Sequence, residues 1–187
     1  MMRRSNGYFL DVDFLVELES QEKWEEARCL LQKIWEEDKL NSKKLVRLIS
    51  ECWHVLSSWD FDIKTEGLSF EVFQNTLIGC TEFGLRNFEN DPHFLCITGY
   101  MISLFPYFFY DVTEGDRYTE WESKGKEMLL KSNRLNPDDV LARILSLGTT
   151  PDFAEYNKAK AKIFSTLAEY FPNDTAIELY FRNILSP

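Results

Sequence analysis

Residues 41–57 read NSKKLVRLISECWHVLS, and this stretch decides the fold class. Leu45, Leu48, Ile49, Cys52, Trp53 and Leu56 recur at three- and four-residue intervals, the spacing that gathers apolar side chains on one face of an α-helix. Asn41 or Ser42 supplies the N-terminal cap, and Lys43 and Lys44 lie in the first turn.

The same grammar extends toward the N-terminus. Residues 8–19, with Phe9, Leu10, Phe14, Leu15 and Leu18, predict a first helix. Residues 22–38 predict a second, with Trp24, Ala27, Leu30, Leu31 and Ile34 as its buried stripe.

C-terminal to the central stretch, Trp59 to Gly67 breaks the pattern and places Asp60, Asp62 and Glu66 in a loop, with Ser69 as the next cap. A helix over 70–88 carries Gly79 and Gly84 as points of close helix contact. Asn90-Asp91-Pro92 starts another, because Asp91 caps and proline suits the first helical position. That helix runs to Phe105 and stops at Pro106. Residues 107–117, YFFYDVTEGDR, form an irregular segment whose aromatics Tyr107 to Tyr110 serve either as core edge or as interface anchors. Helices then follow over 118–135, from Asn136-Pro137-Asp138 to Gly148, over 153–171 and over 174–185.

With 6 Pro, 8 Gly and no sustained strand-like alternation, the chain reads as all-α. The expected architecture is an irregular stack of about eight to nine antiparallel helices forming a single domain over 1–187.

Hydrophobic residues make up 44% of the chain and aromatic residues 15%, which supplies a core without metal or disulfide support. Cys29, Cys52, Cys80 and Cys96 share no close spacing and read as buried reduced thiols. Asp11 and Asp13 interrupt the N-terminus before any apolar run of signal-peptide length, so the expected location is cytoplasmic. Phe94 to Tyr110 is the most apolar stretch, but Pro106 divides it and Asp91 and Asp111 bound it; it reads as a buried helix and loop, with no membrane insertion.

The net charge of −10 is regional. Residues 1–60 carry 12 acidic and 9 basic side chains, residues 61–120 carry 10 and 3, and residues 121–187 carry 9 and 9. Such a surface repels phosphate backbones and favours a basic protein partner, so no direct nucleic-acid binding is expected.

Catalytic and cofactor signatures are missing. His54 and His93 are not spaced as a ligand pair, and the chain contains no HExxH, CxxC, GxGxxG or Walker sequence. Asp60 with Asp62, and Asp138 with Asp139, fall in turn or capping contexts, where solvation rather than acid/base work accounts for them. No cofactor and no enzymatic activity are expected.

Three helix breaks repeat a theme: Asn90-Asp91-Pro92-His93, Asn136-Pro137-Asp138-Asp139 and Phe171-Pro172-Asn173-Asp174. Their prolines lie 45 and then 35 positions apart. The second interval is close to the tetratricopeptide period of about 34, and the first matches if 107–117 is an insertion. Leu135-Asn136-Pro137, Trp24-Glu25-Glu26-Ala27 and the pair Gly125 and Leu129 also resemble that family. Its tryptophan, leucine, glycine and tyrosine pattern is absent from the first helix of each unit. The resemblance implies a binding scaffold, a tetratricopeptide-like adaptor or chaperone component that captures peptides or helices.

In function the chain resembles bacterial toxin-neutralising immunity proteins, which are small, acidic and cytosolic. That resemblance implies a non-catalytic protein that masks a basic toxin domain, a nuclease. The expected contact surface is Asp60, Asp62, Glu66, Asp111, Glu114 and Asp116, supported by Tyr110 and Tyr118. The alternative is that both loops are simply solvated connections.

Overall fold

The computed structural model describes residues 7–149 and 153–186. Among these residues the protein is all-helical: α1 (Leu15–Ser20), α2 (Trp24–Glu36), α3 (Ser42–Ser57), α4 (Phe70–Asn87), α5 (Pro92–Leu104), α6 (Tyr118–Leu135), α7 (Val140–Leu147), α8 (Phe153–Phe164), α9 (Leu167–Tyr170) and α10 (Ala176–Leu185). Two 3-10 turns, Pro106–Phe108 and Val112–Glu114, lie between α5 and α6.

Capping chemistry sets several helix starts. Asn41 accepts the Lys44 amide at 3.4 Å, Ser69 the Val72 amide at 3.4 Å and Asp91 the Phe94 amide at 2.8 Å. At α7 the cap is Asp139, which takes the amides of Leu141 and Ala142 at 2.9 and 3.2 Å. Each bond satisfies an amide that the helix itself leaves without a partner.

Helix α3 is the centre of the stack, packed against α2, α4, α5 and α10 and buried almost all round from Leu45 to Trp53. Two ionisable residues of α3, Arg47 and Glu51, therefore sit in the core. Arg47 donates to Glu19 of α1 at 2.7 Å and lies 3.2 Å from Glu51, one turn further along α3. The second Glu19 oxygen accepts the backbone amide of Ala176 at the start of α10. Burial pushes the Glu51 carboxyl well above the usual range, and the Glu19 charge adds to that while Arg47 opposes it.

The ends of the chain differ from their sequence reading. The expected first helix over 8–19 begins only at Leu15, because Phe14 is left-handed with φ 65°. Residues 7–13 form a strap in which the Tyr8 amide donates to the Tyr170 carbonyl at 2.7 Å and Phe9 packs against Phe171 and Phe181. The aromatic spacing reflects contact with the C-terminal helices, not a helical face. The helix expected over 153–171 is likewise divided into α8 and α9.

Glycine positions also separate. A Cβ on Gly84 would fall 2.2 Å from the Phe94 ring, and one on Gly125 would fall 2.6 Å from the Ser103 amide and 2.8 Å from the Gly99 carbonyl. Helices α5 and α6 therefore touch backbone to backbone. Gly79 makes no such approach, with open space around its Cα. Cys52, Cys80 and Cys96 are buried as expected, whereas Cys29 faces outward on α2 beside Arg28, which donates to its sulfur at 3.3 Å.

Two predictions follow from this packing. Gly125→Ala should destabilise the fold by about 1–3 kcal/mol in urea unfolding, through overpacking against backbone. Gly79→Ala should stabilise it by about 0.5–1 kcal/mol, through helix propensity alone. The buried carboxyl makes a further prediction. Glu51 is protonated in the fold above the pH at which it ionises in the unfolded chain, about 4.3, so its contribution is complete below that pH. As pH rises the unfolded chain loses the proton first, and stability falls by at most about 1.4 kcal/mol per unit until the folded carboxyl ionises. Unfolding measured from pH 5 upward should show this decline, and Glu51→Gln should flatten it.

Candidate protein-binding surface

Helix order explains why the two acidic loops share one end of the molecule. Ser42 donates to Asp91 at 2.7 Å where α3 and α5 begin, and the Trp53 and Phe105 rings lie 5.7 Å apart toward their other ends, so the two helices run parallel. Ser132, late in α6, donates to the Pro92 carbonyl at the start of α5 at 2.7 Å, so α5 and α6 are antiparallel. The connections 58–69 and 105–117 consequently emerge together. The α1–α2 turn joins them, as Lys64 pairs with Glu22 at 2.8 Å.

Aromatic contacts knit the two loops. Trp59 meets Phe70 at 5.2 Å between ring centroids, Phe70 meets Phe108 at 6.1 Å, and Phe108 meets Tyr107 at 4.5 Å. Gln74 of α4 donates to the Tyr107 carbonyl at 3.4 Å. Burial raises the Tyr107 phenol above its ordinary range, and the neighbouring Tyr118 adds to the effect. Around this framework, residues 58–69 and 105–117 hold six carboxylates against Lys64 and Arg117.

The carboxylates do different work. Asp60, left-handed with φ 60°, accepts the Thr65 hydroxyl at 2.6 Å and holds its own turn. Asp111 caps the second 3-10 turn by accepting the Thr113 amide and hydroxyl at 2.8 and 2.7 Å, and these bonds hold its carboxyl below the usual range. Asp116 accepts the Tyr118 amide at 3.0 Å and starts α6. Asp62 and Glu66 are exposed on the first loop. Glu114 closes a 3-10 turn, and its side chain lies outside the described residues.

The tyrosines divide. Tyr118 is 41% exposed and lies on the acidic end. Tyr110 is only 5% exposed and donates to Asp116 at 3.4 Å, so it supports the loop from within and is not a surface anchor. The tight 3-10 turn before it explains the difference: Phe108, Phe109 and Tyr110 turn inward, while Tyr107 remains 41% exposed. Sequence reasoning passed over Phe61, the most exposed large apolar side chain among the described residues at 90%. Its position between Asp60 and Asp62 was the available signal, since no helical stripe includes it.

The opposite end holds an open cleft of about 550 Å³ lined by Tyr8, Lys43, His93, Asp138, Asp139 and Tyr170, among others. Two of the three repeated helix breaks contribute to it. Asp139 is occupied by its cap bonds and by the Tyr8 hydroxyl at 3.1 Å, and His93 Nε2 donates to the Tyr8 carbonyl at 2.8 Å. Burial lowers the His93 pKa and keeps the ring neutral. These groups tie the N-terminal strap to the helix starts.

Among the described residues no cluster of three or more His, Cys, Asp or Glu is arranged to hold a metal ion, and no helix is long and apolar enough to cross a membrane. Compared with known proteins, the chain matches no family model, no curated protein and no solved structure.

Proposed function

We propose that this chain is a non-catalytic protein-binding protein that masks a basic toxin domain, a nuclease, as a cognate immunity protein acting in the cytoplasm. The observation that carries the reading is the convergence of loops 58–69 and 105–117, which puts the carboxylates of Asp60, Asp62, Glu66, Asp111 and Asp116 near exposed aromatic side chains at one end of the stack. Carboxylates on such a face raise the rate of encounter with a cationic partner, and aromatic anchors slow its departure. Asp60, Asp111 and Asp116 fix their own loops, so the face is ordered before a partner arrives.

A second reading, a tetratricopeptide-like adaptor, draws on another feature. A groove of about 370 Å³ has Leu85, Leu95, Met128 and Leu130 as apolar lining and Lys124, Lys131 and Arg134 beside them. Glu89 and Glu127 line it as well, so its charge is mixed, and the apolar strip is what would receive an amphipathic peptide or helix.

The two readings separate in one experiment. The immunity reading expects a basic toxin domain encoded beside this gene, and association between the purified pair is measured at low and high salt. Asp62→Lys with Glu66→Lys, which breaks none of the turn-holding bonds, should slow association about tenfold at low salt and much less at high salt. An unchanged rate would place the interface elsewhere. No association at micromolar concentration, with both proteins folded, would remove the immunity reading.

A further inference from the structure

Resting on that reading, we infer that Phe61 is the anchor of the complex and that it enters the partner's groove for single-stranded nucleic acid. Trp59 and Ile63 bridge to each other at the base of the turn, with Trp59 packed on Phe70 and Ile63 buried. The alternation leaves Asp60, Phe61 and Asp62 at the apex. The amides of Phe61 and Asp62 both donate to the Ser58 carbonyl, at 3.1 and 3.2 Å, so the apex is tied down from below. A large aromatic ring there adds nothing to the core. It stands in solvent, flanked on each side by a carboxylate, on the end of the molecule that also presents Tyr107 and Tyr118.

The partner that fits is defined by the complement of this apex. Grooves that hold single-stranded nucleic acid combine cations that follow the phosphates with flat apolar platforms on which bases stack. A carboxylate, an aromatic ring and a second carboxylate in succession satisfy both features, with the acids at phosphate positions and the ring at a base position. Masking is then direct occlusion: chain and nucleic acid compete for one groove. A membrane surface is a poor alternative, since the flanking carboxylates are repelled by anionic lipid headgroups.

The test uses the full chain, the basic toxin domain that the immunity reading expects to be encoded beside it, and a fluorescein-labelled twelve-residue oligothymidylate. Phe61→Ala should speed dissociation of the protein complex by about tenfold or more while leaving low-salt association within about twofold, and Phe61→Trp should restore slow dissociation. The chain should displace the oligonucleotide from the partner. Circular dichroism should show the variants folded, as expected for a side chain outside the core. Unchanged dissociation in Phe61→Ala, or a ternary complex that retains the oligonucleotide, would overturn this inference and leave the immunity reading standing. Absence of any complex would overturn both.

Discussion

The fully buried cation Arg47 organises the molecule. Arg47, in the middle of α3, faces Glu19 of α1 and Glu51 of its own helix, and Glu19 in turn accepts the first amide of α10. Helices from the beginning, centre and end of the chain are thus joined through one carboxylate. Burying charge is expensive, and an apolar replacement of the whole cluster at equal volume is often neutral or better for stability. What the cluster adds is direction: an ion pair with hydrogen bonds tolerates few alternative registers, whereas the Leu and Phe side chains around it pack in many. The strap through Tyr8 and Phe9, stacked on Phe171 and Phe181, closes the same junction from the apolar side.

With α3 fixed, the alternating direction of its neighbours does the rest. Close backbone contact at Gly99 and Gly125 locks α6 to α5, and the parallel course of α3 and α5 sends both long connections to one end. Five of the ten acidic residues of 61–120, Asp62, Glu66, Asp111, Glu114 and Asp116, therefore belong to the two connections at one end, whereas Glu89 and Asp91 lie at the other. Some of that charge is structural. Asp60, Asp111 and Asp116 hold turns, Asp60 while remaining exposed beside Phe61, and Asp62, Glu66 and the rings of Phe61, Tyr107 and Tyr118 face solvent. Rigid loops carrying exposed aromatics lose little freedom on binding, which favours slow dissociation.

Local rules made much of this legible. Asn41, Ser69 and Asp91 cap where their chemistry and the following apolar run indicate, and the acidic loop after Trp59 lies where helical periodicity fails. What escaped was tertiary. Arg47 and Glu51 look like the polar positions of an amphipathic helix until α3 proves to be surrounded. Phe9 and Phe14 fall at helical spacing, yet one is drawn out against the C-terminal helices and the other adopts a left-handed backbone. Tyr110 and Phe61 exchange roles for the same reason: aromatic character marks a residue as core or anchor without saying which, and the decision rests on the turn that aims it.

The most direct measurement is hydrogen exchange of backbone amides in the chain alone and mixed with the basic toxin domain that the proposed function expects to be encoded beside it. The account predicts new protection concentrated in residues 58–69 and 105–117, with α8 and the cleft near His93 unchanged. Protection confined to the groove between Leu85, Met128 and Arg134, or to the His93 end, would contradict it.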